Sequence, residues 1–331
     1  MVVGATVWIM PRESRIEYAG ALYHVLNRGN YRQELFTVHG AGASFEQTLY
    51  EACDRFGWRV HAFVLMSNHY HLCVETLDAN LAVGMQWLQS TFANRFNRFM
   101  HERGHVFQGR YRALLIEQGD SLLRVVNYIH LNPVRAGIEQ VETLERYMMS
   151  SFPRFFTRKR PACLVNVDWL SLAGNLKPTV AGMRCYQKYL ALSKEGDPHR
   201  REALYRELCR GWYVGTWEGK QALLKDIEGG LVNPAVQGRG LGEDRAMLLL
   251  VEGLQHLGKS LGDLGSDLRL APWKVVLAGW IKQQSSVGNR WFSEVMHMGS
   301  IYGISKAIAE ETRKKGQRKL WQTLKTAKSK A

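Results

Sequence analysis

Two histidines one residue apart, His69 and His71 in the run SNHYHLCVE (67–75), are the residues of this chain best suited to chemistry. Along a strand the side chains alternate, so both imidazoles fall on one face and Tyr70 and Leu72 on the other. Paired neutral imidazoles are ready ligands for a divalent cation. Histidines at this spacing also occur in ordinary cores and on surfaces, so the pair needs a third ligand and a task. The segment NYIHLNPVRAG (127–137) offers both. On a helix, Tyr128 and Asn132 lie one turn apart on a shared face. The amide oxygen of Asn132 is a suitable hard ligand for Mg²⁺ or Mn²⁺ beside two imidazoles. A phenol one turn before it would hang over the same ion. Tyr128 is then a nucleophile candidate: the metal polarises a phosphate, and the phenol attacks to give a covalent phosphotyrosine. A tyrosyl ester keeps the phosphodiester energy that hydrolysis would release, so strands can be rejoined.

Other side chains compete for these roles. His130 sits roughly 200° around the helix from Tyr128 and is read as structural. Glu75 shares the strand face of His71 but lies about 13 Å along it, too far to ligate the same ion. His24 and His61 are read as core histidines bonded to backbone, and Tyr111 as a packing residue. Arg28, Arg110 and Arg112 are the candidates for phosphate contacts, with the helix pair Arg95 and Arg98 as a further one. Aromatic and arginine side chains near such a site would suit single-stranded DNA, where stacking tolerates many sequences.

The elements that must position these residues follow from periodicity and turn chemistry. ALYHVLNR (21–28) reads as a strand closed by Gly29-Asn30, and 44–56 as a helix capped by Ser44 with Gln47 three residues on. WRVHAFVLM (58–66) and HYHLCVE (69–75) form a hairpin across Ser67-Asn68. A long amphipathic helix over 79–102 carries Leu81, Met85, Leu88, Phe92 and Phe96 on one face. A strand at 111–117 precedes a helix capped by Asp120 or Ser121 and stopped or kinked by Pro133. The order β-α-β-β-α-β-α predicts an α+β domain over 14–150, a ferredoxin-like antiparallel sheet with helices on one face.

Beyond it, 151–182 reads as a linker containing the basic run PRFFTRKRP, and 183–331 as an all-α DNA-binding region. There, the helical runs WKVVLAGWIKQQ, NRWFSEVMHM and IYGISKAIAEE, with Gly299 and Ser300 between the last two, predict a helix-turn-helix at about 273–310. The alternative is a small helical bundle. The acid-free tail 313–330, which includes Lys314, Lys315 and Arg318, reads as a phosphate-binding arm.

Composition agrees with these readings. The 331 residues carry a formal charge of +14, which favours a polyanionic partner. No apolar run approaches the ~20 residues of a membrane helix. The apolar start MVVGATVWI lacks the flanks of a signal peptide and is read as an extension before Met10. Five scattered cysteines without a C-x-x-C point to a reducing, cytoplasmic compartment, and exclude a disulfide framework and a zinc knuckle.

Four segments taken together, YHVLNRGN, FVLMSNHYHLCVE, GHVFQGRYRALLIE and YIHLNPVRAG, resemble the single-tyrosine HUH transposases, and among them the REP-associated tyrosine transposases of bacteria. The resemblance covers about residues 14–150. It matches His69 and His71 to the metal-binding histidines, Tyr128 to the nucleophile and Asn132 to the amide-bearing third ligand. It implies cleavage and joining of single-stranded DNA beside a hairpin, with Mg²⁺ or Mn²⁺, a 5′-phosphotyrosine intermediate and a free 3′-hydroxyl. It also implies a monomer, with a dimer as the alternative. Tyr70 departs mildly from the bulky apolar residue usual between the two histidines. The competing reading is a domesticated, non-catalytic DNA-binding regulator acting through 273–310. Relaxases and replication initiators share the chemistry but usually differ in strand order and often use two tyrosines. A histidine-triad phosphohydrolase would need a third alternating histidine where Cys73 stands.

Overall fold

The computed structural model describes residues 16–157, 159–193, 198–228, 239–285 and 287–313. The apolar start and the basic tail from Lys314 on lie outside the described residues. Two compact units divide between Asn233 and Pro234.

The first unit is built on a five-stranded sheet in the order β2-β3-β1-β4-β5. Its strands are β1 (Ala21–Arg28), β2 (Trp58–Leu65), β3 (His69–Thr76), β4 (Arg112–Ile116) and β5 (Tyr213–Val214). The first four pair antiparallel, and β5 adds in parallel to β4. Between them run α1 (Ala41–Phe56), α2 (Leu81–Met100) and α3 (Asp120–Arg135). The α+β class and the order of these elements are as expected; three details differ. Helix α1 begins at Ala41, not Ser44, because left-handed Gly40 (φ 79°) turns the chain and its carbonyl accepts from Ser44 N–H. Pro133 sits inside α3 without ending it: it falls in the last turn, where the helix closes through Ala136 N–H to the Asn132 carbonyl.

The third difference concerns the layers. Helices cover both faces of the sheet, not one. On the Tyr70 side, α1 and α2 supply Phe45 and Phe92, whose rings pack edge-on and tilted into a core with Tyr70 and Phe107. Gly84 lets α2 approach this layer, since a Cβ there would run into the Trp58 indole. On the opposite side lies α3, with Tyr128 against His71. Strand alternation requires this division, because β3 is buried on both of its faces and each face needs a cover.

Residues 151–182 are no linker. Phe152, Phe155 and Trp169 are buried around His130 together with Tyr186. This segment contributes α4 (Val167–Leu172) and leads into α5 (Val180–Ser193). Its arginines and lysines look like a linker's, but the aromatic residues between them complete the core on the α3 side. Then follow α6 (Pro198–Glu207), β5 and α7 (Trp217–Glu228), so a strand interrupts the stretch expected to be all-helical.

The second unit is helical among its described residues: α8 (Arg239–His256), α9 (Asp263–Ser266), α10 (Pro272–Gln284), α11 (Asn289–Val295) and α12 (Ile301–Arg313). Leu250, Val276, Leu277, Ile281, Phe292, Met296 and Ile304 form its core. Its buried Lys274 is satisfied by the Leu264 and Asp267 carbonyls at 2.7 and 3.0 Å. Helices fall where the last three helical runs place them, and left-handed Gly299 (φ 82°) turns the chain between α11 and α12.

Candidate active site

The face of the sheet carrying the odd-numbered residues of β3 gathers the polar groups. Register sets Arg28 opposite His69, Leu26 opposite His71, and Arg112 opposite Leu26. Directly opposed residues share a face, so His24, Arg28, His69, His71 and Arg112 project to one side. Helix α3 crosses that side. The Tyr128 ring meets His71 edge-on at 5.3 Å between centroids and His24 at 5.7 Å, while His69 and His71 stand perpendicular at 5.2 Å.

Each histidine of the pair has one ring nitrogen engaged. His69 Nδ1 donates to Asn68 Oδ1 at 2.8 Å, and His71 Nδ1 lies 2.9 Å from His24 Nε2. Burial holds both pKa values below the ordinary histidine range, helped by Arg28 at His69 and by His24 at His71. Both rings are therefore neutral at pH 7, the state that can ligate a metal. Asn132 Nδ2 donates to the Tyr128 carbonyl at 2.9 Å, which leaves Oδ1 as the atom this amide can offer a cation. The residues thus fit a divalent ion in donor chemistry: two oriented neutral imidazoles and an amide oxygen. A second grouping overlaps it. Ligand atoms of His24, His71 and Cys209 lie within 4.8 Å of one another.

Tyr128 is only 6% exposed. Its phenol accepts a hydrogen bond from Cys209 Sγ at 3.1 Å, and Tyr205 packs on the ring at 5.4 Å. Burial pushes the phenol pKa up, as does Cys209; the Arg135 guanidinium, 5.0 Å from the ring centre, opposes them. Arg135 lies over Tyr205 as well, at 4.3 Å, and pairs with Glu202 at 3.0 Å.

An open cleft of about 820 Å³ leads to His69. The expected Arg28, Arg110 and Arg112 line it, and Arg32, Arg206 and Arg210 join them. Such a concentration of guanidinium groups suits the phosphates of a nucleic-acid backbone. The other expected pair is elsewhere. Arg95 binds Glu51 at 2.8 Å and Thr48 at 2.8 Å between α1 and α2, on the opposite side of the sheet. It is engaged in an ion pair away from the cleft, so the fold does not bring it together with Arg28, Arg110 and Arg112. Arg98 is exposed in the last turn of α2 and is not among the residues lining the cleft.

The competing residues have structural partners. His130 is buried between Tyr186 Oη and Ser151 Oγ, each at 3.1 Å, and Glu75 is held by Arg59 at 2.8 Å. Tyr70 lies in the core on the far face, its hydroxyl accepting from Gln89 at 2.8 Å. Sequence reasoning missed His24, Arg32, Arg135, Tyr205, Arg206, Cys209 and Arg210. His24 carried a signal: it shares the strand parity of Arg28. The residues after 200 carried none, because they reach the site only through the folding of the chain.

Residues 17–132 match the family described as Transposase IS200 like. Within that family the similarity is to the REP-associated type. A Haemophilus influenzae protein named as a REP-associated tyrosine transposase is 25% identical over 121 residues, 33% of this chain and 68% of the relative. Among solved structures, a REP-associated tyrosine transposase bound to a REP hairpin has a TM-score of 0.36 at 21% identity, covering 48% of this chain and 88% of that one. A Deinococcus radiodurans transposase has a TM-score of 0.27 at 17% identity, covering 44% and 98% respectively. No described helix is long and apolar enough to cross a membrane.

Proposed function

We propose that this protein is a metal-dependent endonuclease and strand transferase for single-stranded DNA, acting beside hairpins at repeat sequences through a 5′-phosphotyrosine. The observation that carries this reading is the Tyr128 ring against His71, with His69 opening onto the arginine-lined cleft. His69 and His71, with Asn132 Oδ1, would hold Mg²⁺ or Mn²⁺. Bound there, the ion would polarise a phosphate oxygen and stabilise charge developing on it. Tyr128 Oη attacks phosphorus, the bond to the 3′-oxygen breaks, and the phenolic proton is exchanged for one delivered to the departing 3′-hydroxyl. Arg135 favours the ionised phenol. Arg28, Arg110 and Arg112 would grip the strand by its phosphates, as would Arg32, Arg206 and Arg210.

Because Tyr205 and Cys209 cover Tyr128, the strand must displace that cover to reach the phenol. The second unit would add affinity for the stem or for flanking duplex. There α11, Gly299 and α12 would act as a helix-turn-helix, with Tyr302 86% exposed on the outer helix. The protein would work as a monomer. All five cysteines are unbridged, in keeping with a reducing, cytoplasmic setting.

The test is a denaturing gel of end-labelled hairpin DNA from the gene's own flanks, with Mg²⁺ or Mn²⁺. Wild type should give a fragment linked to protein through its 5′ phosphate, which Tyr128→Phe and His69→Ala both lose. Binding by all three proteins without cleavage would replace this reading by that of a non-catalytic DNA-binding regulator.

A further inference from the structure

Behind the proposed metal pair the polar groups form a directed chain. His24 Nδ1 lies 2.6 Å from the Leu208 carbonyl oxygen, and His24 Nε2 lies 2.9 Å from His71 Nδ1. A carbonyl only accepts, so His24 must carry its proton on Nδ1. His24 is wholly buried among the Leu208 carbonyl, the His71 ring and the Tyr128 ring, where a charged imidazole is costly, so the ring is neutral and its Nε2 has a lone pair. The remaining short contact is then a hydrogen bond only if His71 Nδ1 donates. That places the lone pair of His71 on Nε2.

We infer that His24 is a positioning residue that fixes the tautomer and ring orientation of His71, with the Leu208 carbonyl as the anchor of the relay. The inference rests on the metal reading proposed for His69 and His71 and extends it to residues that do not themselves ligate. Metal-bound histidines generally donate their second ring N–H to a fixed acceptor, and removing such an acceptor typically lowers metal affinity about 10–100-fold. Here the acceptor is another imidazole, itself anchored by a carbonyl that lies far outside the segment matching the family, which ends at residue 132. The stretch after α6 is thereby part of the metal site, although it supplies no side chain to it.

A different use of the same atoms would exclude the relay. A soft cation gripped by His24 Nε2, His71 Nδ1 and Cys209 Sγ would need the two nitrogen positions that here serve each other. Cys209 therefore separates the two arrangements: the relay does not use its thiol, whereas the alternative requires it.

The experiment is a titration of the full-length protein with Mn²⁺, followed by the loss of the free-ion electron paramagnetic resonance signal. Wild type, His69→Ala, His24→Leu, His24→Gln and Cys209→Ser are compared, with circular dichroism melts run alongside. We expect His24→Leu to weaken Mn²⁺ binding about 10–100-fold. His24→Gln should restore it, because the amide can donate to Leu208 and accept from His71. Cys209→Ser should bind as wild type does. Unchanged affinity in His24→Leu, or a loss in Cys209→Ser matching that of His24→Leu, overturns the relay while leaving the His69–His71 metal site standing. Mn²⁺ binding insensitive to His69→Ala would overturn the metal reading itself. Should His24→Leu fail to fold, nitrogen chemical shifts of the histidines in metal-free wild type decide the matter. His71 protonated on Nδ1 supports the inference, and protonated on Nε2 it overturns it.

Discussion

The two faces of the sheet use one strand for opposite ends. Along β3, Tyr70 and Leu72 turn into an aromatic core of Phe45, Phe92 and Phe107. His69 and His71 turn the other way, towards Tyr128 and an arginine-lined cleft. The first face is packed and apolar, and the Tyr70 hydroxyl within it is satisfied by Gln89. The second keeps neutral histidines, a phenol and a thiol at close range, each held by a hydrogen bond. A single residue of slip in β3 would exchange the two sets, so the packed face is what keeps the chemical face in register. A site of this kind is supported by burial elsewhere, and the cost of its polar groups is offset by the core behind it.

The most direct challenge to this division of faces is to substitute one tyrosine from each. Tyr128→Phe removes one oxygen from the site. It should reduce cleavage by about 10³-fold or more while leaving the thermal melt and hairpin binding near wild type. Tyr70→Ala empties the core and should cost about 3–5 kcal/mol in denaturant unfolding, as other aromatic deletions do. If Tyr70→Ala left stability intact but abolished cleavage, the division between the faces would be wrong.

Charge offers the next contrast. Arg28→Ala together with Arg210→Ala should weaken binding of single-stranded hairpin DNA. Their removal should also flatten the dependence of affinity on salt, by about 0.7 in log–log slope for each phosphate no longer neutralised. An unchanged slope in filter binding from 50 to 300 mM salt (about the range where this term dominates) would remove the cleft from the DNA path. Arg210 is the more informative of the two, because it lies beyond the family segment.

A smaller effect concerns pH. Burial lowers His130 to about 3, against 6.5 for an exposed histidine. Between those values the unfolded chain binds the proton and the folded one does not, so His130 contributes stability above pH 6.5 that is lost as pH falls towards 3. The melting temperature should fall on acidification below pH 6.5, and His130→Gln should make that fall shallower. The smallest expected change is in Arg95→Ala. This pair with Glu51 is partly exposed on the core side, and its loss should cost about 0.2–1 kcal/mol with no effect on the salt slope of DNA binding.

Much of the first unit was legible in the sequence for a local reason. Period-two alternation around HYH, helical spacing from Leu81 to Phe96, and the Tyr128–Asn132 step each depend on neighbours a few residues apart. The same reasoning failed where the determinant was not local. PRFFTRKRP looked like a linker because its charges are conspicuous, while Phe152 and Phe155 find their partners only on α3, α4 and α5. Arg95 looked like a phosphate ligand because nothing in α2 reveals that Glu51 of α1 lies beside it.

Spacing along the chain is enough to establish that His69 and His71 share a face, that Tyr128 and Asn132 share another, and that an α+β sheet carries them. The backbone geometry of a strand or a helix dictates those facts. What surrounds these residues was settled by the folded chain. His24 reaches His71 because β1 pairs with β3 in one register; Leu208, Cys209 and Tyr205 arrive from the segment that leads into β5, which docks on β4 from far along the chain. Strand register and long-range docking are set by the sum of core packing, and no short window of residues contains that sum.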